Sequence, residues 1–179
     1  MKKRYALTSI GGVAITATPL ALYSSLLIWA VLAAAGILFF ELSPGSGLVG
    51  GLLGLLLHWA GELAHQLGHA FVARRVGYPM REIRFLFVLA GSRYPRDEPA
   101  LPAEIHIRRA LGGAPVNFLL ALIGVIPVLL LRDSGGLAYL LAVFFCLENL
   151  LVFGFGALLP LGFTDGSTLL TWWPRRGQQ

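Results

Sequence analysis

His65-Gln66-Leu67-Gly68-His69 sits inside an apolar segment long enough to cross a membrane. Two histidines four apart on a helix put both imidazoles on one face, spaced to grip a single zinc ion. In the H-E-x-x-H form of this pattern, the glutamate is the general base for the zinc-bound water. Here Gln66 holds that position, and an amide exchanges hydrogen bonds but takes up no proton at neutral pH. The pattern points to a metal site more firmly than to a catalyst. At about 100° per residue, His58, Glu62, His65 and His69 fall within roughly 60° of one another, and ionisable groups inside membrane spans are functional candidates by default. His58 lies two turns from His65, about 10 Å along the axis, too far to share its metal. Glu62 is the nearby carboxylate, a stand-in base or a fourth ligand, or else a buried hydrogen-bond partner. A catalytic zinc needs a third protein ligand and an open position. Asp165, at the end of the fourth apolar stretch, is the best candidate, because topology puts it at the same depth as the two histidines.

Elements must carry these groups into one place. Apolar stretches of spanning length occur at about 21–40, 48–73, 110–131 and 136–161. Gly47, Gly54, Gly61 and Gly68 recur every seven residues beside the histidine stripe, a small-residue seam against which a partner helix can press. Residues 5–19 partly alternate and suggest a short strand or re-entrant stretch. Residues 80–90, bounded by Gly77-Tyr78-Pro79 and Gly91-Ser92, suggest a strand or hairpin. The expected fold is an all-α polytopic membrane protein of about four transmembrane helices with a short β element at the cytoplasmic face, one membrane-embedded domain over 1–179.

With 56% hydrophobic and 13% charged residues, the chain falls far below the roughly one-quarter charged content of soluble domains. Its net charge of +5 is of the sign that suits nucleic acid, but the distribution argues against that partner. With four spans and the N-terminus inside, 13 of the 14 Lys and Arg face the cytoplasm and only Arg132 lies outside, as the positive-inside rule asks. Both termini are then cytoplasmic, and a prokaryotic cytoplasmic membrane suits the pattern. The single Cys146 has no internal disulfide partner and reads as core. Trp172 and Trp173, before Pro174-Arg175-Arg176, read as an interfacial anchor, and His106 as a solvated surface residue.

His65-Gln66-Leu67-Gly68-His69-Ala70, followed by Ala73-Arg74-Arg75-Val76-Gly77-Tyr78-Pro79, resembles the first signature of the site-2 protease family of intramembrane zinc metalloproteases. Leu158-Leu159-Pro160 through Asp165-Gly166 is similar to its second signature. Gly113-Ala114-Pro115-Val116-Asn117 is similar to its short Gly-to-Asn element. The resemblance covers about residues 20–170 in the family's order. It implies that His65, His69 and Asp165 hold zinc, that Asn117 helps position substrate, and that the chain engages transmembrane segments of other proteins within the lipid bilayer. Three positions depart from the family: Gln66 for its glutamate, Gly162-Phe163-Thr164 for a proline-rich run, and Ala157 where an asparagine often stands. Three readings follow: a natural pseudoprotease or membrane metal/helix-binding protein, an active metalloprotease using Glu62 as base, and an enzyme deliberately inactivated at Gln66.

Overall fold

The computed structural model describes residues 4–177, so Lys2 and Lys3 of the basic N-terminus lie outside the described residues. Strand β1 (Tyr5–Ile10) turns back into β2 (Val13–Ala17) through Gly11 and Gly12, at φ of +57° and +83°. Two successive positive φ values make the tight hairpin turn whose twist suits paired strands, and glycine adopts them without strain. Thr18 ends the strand and caps α1 (Pro19–Phe39), its hydroxyl oxygen accepting the Ala21 N–H at 3.2 Å. Ser43 caps α2 (Pro44–Arg75) in the same way, again with proline in the first turn, where a missing N–H does no harm. A hairpin of β3 (Glu82–Phe85) and β4 (Ala90–Arg93) follows α2, then the short amphipathic α3 (Ala103–Ala110) and the apolar α4 (Ala114–Leu131). Helix α5 (Gly136–Leu147) continues into a π-helical segment, Glu148–Gly156, and the short α6 (Asp165–Trp172) comes last.

Among the described residues, four helical stretches are long and apolar enough to cross a membrane: Pro19–Phe39, Pro44–Arg75, Ala103–Leu131 and Gly136–Leu158. The β element is larger than the single hairpin read from residues 80–90. The two hairpins join into one four-stranded sheet in the order β1-β2-β3-β4, with β2 and β3 parallel and Ala14 opposite Glu82. A parallel pair needs a crossover, and here that crossover is the whole of α1 and α2. Val13, Met80 and Ile83 pack with Ala70 and Ala73 of α2, so the sheet sits on the C-terminal half of the helix that carries the histidines.

The glycine seam of α2 meets three partners instead of one. Gly47 and Gly54 face Ile37 and Leu32 of α1, Gly61 faces Phe153 and Asn149, and Gly68 lies on the backbone of Gly112 between α3 and α4. Each contact brings a different element against the polar stripe.

Candidate metal centre

Helix α2 places His65 and His69 one turn apart, and their Nε2 atoms lie 3.0 Å from each other. Asp165, the first residue of α6, closes the group, with Oδ2 3.1 Å from His65 Nε2 and Oδ1 3.2 Å from His69 Nε2. Ligand atoms of all three residues fall within 4.8 Å of one another.

Hydrogen bonds on the far side of each ring decide which nitrogen faces the group. His65 Nδ1 is 2.8 Å from Asn117 Oδ1. That oxygen is identified by its amide partner, since Asn117 Nδ2 donates to Gly61 C=O at 3.1 Å and to Asn149 Oδ1 at 2.8 Å. Asn149 is oriented in turn by donating Nδ2 to the Phe145 carbonyl at 2.8 Å. His69 Nδ1 is 2.7 Å from the Arg109 carbonyl oxygen, which only accepts. Both rings therefore carry their proton on Nδ1 and turn an Nε2 lone pair toward Asp165. Two imidazole lone pairs and a carboxylate converge, and Asp165 Oδ2 is buried without a hydrogen-bond donor. Positive charge at the centre of that group satisfies it, as a metal ion or as ring protons. Two neutral imidazoles, each backed by a hydrogen bond, and one carboxylate at the start of α6 form a donor set that fits a metal ion, with outer partners orienting the rings.

The backbone is shaped around the rings. A Cβ added to Gly113 would collide with His65 Nε2 and lie 2.6 Å from His69 Nε2, so only glycine lets the α3–α4 junction pass here. Gly166 is held in the same way, because a Cβ would run into the Leu158 carbonyl and come 2.8 Å from the Leu159 carbonyl carbon. Thr164 donates its hydroxyl to Leu159 C=O and accepts from Leu161 N–H, folding the loop that delivers Asp165. Helix α6 is docked on α3 by the His106 and Trp172 rings, stacked at 3.9 Å and 7° from parallel. His106, half-buried against Trp172, thus belongs to the structure beside the site and not to a solvated surface.

Gln66 is buried and turned toward β4: Nε2 donates to Ala90 C=O at 3.3 Å and to Glu62 Oε1 at 3.2 Å, while Oε1 accepts from Ser92 at 2.8 Å. Glu62 Oε1 also accepts the Ala90 N–H at 2.7 Å. Asn117 has no solvent exposure, and its side chain lies on His65 and Asn149. Glu62, Gln66, His65, His69 and Asp165 all border one cavity of about 950 Å³. Its other walls are largely apolar, among them Phe87, Val88, Val152, Phe153 and Phe163.

Several contributors carry no signal in the sequence. Arg109 reads there as one more basic residue beside Arg108. In the structure it is buried, pairs with Glu98 through both terminal nitrogens at 2.5 and 3.0 Å, and lies 3.9 Å above the Tyr94 ring. Gly113 belongs to the Gly-to-Asn element, but its reason, clearance for two imidazoles, appears only in three dimensions.

Fold and site together define a membrane-type helical bundle with a buried two-histidine, one-carboxylate group beside a strand-lined cavity. No protein-family model and no curated protein matches this chain. Among solved structures, the site-2 protease from Methanocaldococcus jannaschii superposes with a TM-score of 0.60 at 18% identity, over 94% of this chain and 70% of that one. At that identity the likeness is one of fold. The chain has an intramembrane metalloprotease-like fold of the site-2 protease type.

Proposed function

We propose that the protein is an integral membrane zinc protein of site-2 protease type that receives an apolar segment of another membrane protein, and that Gln66 leaves it without the usual general base. The observation that carries this reading is the convergence of His65, His69 and Asp165 beside the cavity, with Gln66 facing β4. When bound there, zinc supplies a Lewis acid and an activated water. The chain's own residues do the rest. His65 and His69 present Nε2, Asn117 and the Arg109 carbonyl accept from Nδ1, and largely apolar walls line the space beside them. Asn117 acts in this reading by positioning His65, since its buried side chain is committed to that ring and to Asn149. With an amide at position 66 no group there takes the proton of an attacking water, so the protein binds its client without efficient cleavage. The distribution of basic residues orients both termini toward the cytoplasm.

One observation favours a second reading. Glu62 borders the same cavity, so an active enzyme with Glu62 as base follows if a substrate displaces Gln66 and Ala90 from its carboxylate.

The deciding experiment is the metal content of detergent-purified protein, wild type beside His65→Ala and Asp165→Ala. About one zinc per chain, lost in both variants, is the expected result. Wild-type protein free of metal after purification in zinc-supplemented buffer overturns both readings.

A further inference from the structure

The polar stripe of α2 continues away from the histidine pair into contacts that metal binding does not use. Gln66 meets Ala90 and Ser92, Glu62 meets Ala90, and His58 Nε2 lies 2.9 Å from the Val88 carbonyl oxygen. Helix residues 58, 62 and 66, four apart, thus face strand-side residues 88, 90 and 92, two apart. Four helical residues advance about 6 Å along the axis, and two extended residues advance about 6.6 Å. The step from Glu62 to Gln66 therefore matches that from Ala90 to Ser92, and His58 continues the row onto the turn at Val88.

The strand atoms involved are edge atoms. β4 is the last strand of the sheet, and Ala90 directs both N–H and C=O to α2. On an open edge those groups would be unpaired. Here a carboxylate accepts the N–H and an amide supplies the donor, in the places a neighbouring strand's peptide groups would take. The turn before β4 is held as closely. Thr18 donates to the Leu86 carbonyl and Ser24 to the Phe87 carbonyl, both at 2.6 Å, so carbonyls 86, 87 and 88 each have a side-chain partner on α1, its cap or α2.

We propose that His58, Glu62 and Gln66 are positioning residues that set the register of β4 beside the metal group, and that position 66 carries an amide because this rack needs a donor there. The side chain at 66 faces two acceptors, Glu62 Oε1 and Ala90 C=O, and one hydroxyl, Ser92. An amide meets all three. An ionised glutamate has no donor and would set two carboxylates against each other, and an apolar residue would leave the Ala90 carbonyl unsatisfied. Register has consequences for the cavity, because a one-residue slip turns every strand side chain to the other face. Ser92, whose hydroxyl meets Gln66 at the cavity wall, would then turn to the other face.

The inference concerns contacts between α2, the turn and β4 and stands whether or not zinc is the occupant of the histidine group. The test is hydrogen–deuterium exchange on the full, detergent-solubilised chain, read on peptides covering 86–94 and 19–39. Gln66→Met keeps the length of the side chain and removes donor and acceptor. It is expected to raise exchange across 88–93 about tenfold and to leave 19–39 unchanged. Ser92→Ala raises exchange over 90–94 by less, and Ser92→Thr, which keeps the hydroxyl, does not. Unchanged exchange at 88–93 in Gln66→Met overturns the proposal. If Gln66→Met loosens the whole chain, the serine pair decides: a local rise in Ser92→Ala that Ser92→Thr lacks supports the rack, and equal exchange in the two overturns it.

Discussion

The Oδ1 of Asn117 lies 2.8 Å from His65 Nδ1 and is the near end of a chain of three hydrogen bonds that begins at the Phe145 carbonyl. The tautomer of a metal-group histidine is thereby set from another helix, through two fully buried amides. Asn117→Ala is expected to weaken metal binding about 10–100-fold, the range for outer-shell partners, while one metal still binds at saturation. Titration against a chelator of known affinity measures it. Affinity equal to wild type would remove the asparagine from the site.

Gly113 sets the clearance between the α3–α4 junction and both imidazoles. Gly113→Ala should abolish stoichiometric metal binding, because a methyl group takes the space of the Nε2 atoms. Elemental analysis of the purified variant checks this, with the helical circular dichroism spectrum confirming that the bundle persists.

Asp165 depends on the docking of α6, and α6 depends on the stack of His106 and Trp172. Trp172→Ala removes an aromatic contact worth about 0.5–1.5 kcal/mol beyond its buried area. The expected result is weaker metal binding, by roughly tenfold, with little change in thermal stability of the helices. Trp172→Phe should retain most of the affinity.

Glu82 ties β3 to β2 and to the N-terminus: it accepts from Thr16 and Arg84 at 2.5 Å and pairs with Arg4 at 3.3 Å. Burial pushes its carboxyl up, but the hydrogen bonds from Arg84 and Thr16 and the charge of Arg4 outweigh that and hold it below the ordinary glutamate value. A lowered folded-state pKa means stability that is present above the unfolded pKa of about 4.3 and is lost as pH falls below it through the folded value. Thermal melts from pH 7 to pH 3 should show a drop below about pH 4.3 that is smaller in Glu82→Gln.

On the proposal that Gln66 leaves the site without its base, efficient cleavage should take two changes. Gln66→Glu supplies a base but places it against Glu62 and the Ala90 carbonyl. Adding Glu62→Gln restores one amide and one carboxylate to the pair. Cleavage of a test transmembrane segment is expected to be about tenfold faster in the double variant than in Gln66→Glu, a part of the roughly 10²–10⁴-fold that a general base is worth. Equal rates in the two would show that Glu62 does not restrain the new base.

Local patterns were readable without coordinates. The four-residue spacing of His65 and His69 places two imidazoles on one helical face whatever surrounds them. The four apolar runs mark membrane-length helices, because hydrophobic length is a property of contiguous residues. Tertiary structure alone decided the remainder. That β2 pairs in parallel with β3 across two intervening helices, that the Arg109 carbonyl takes the His69 proton, that Gly113 clears two rings and that β4 is held in register by α2 all join residues from separate elements. Such contacts depend on how helices and strands meet in space, and residue types along the chain carry no local periodicity that encodes them. Asp165 stands between the two cases. Depth in the bundle suggested it, and the packing of α6 on α3 brought its carboxylate to the histidines.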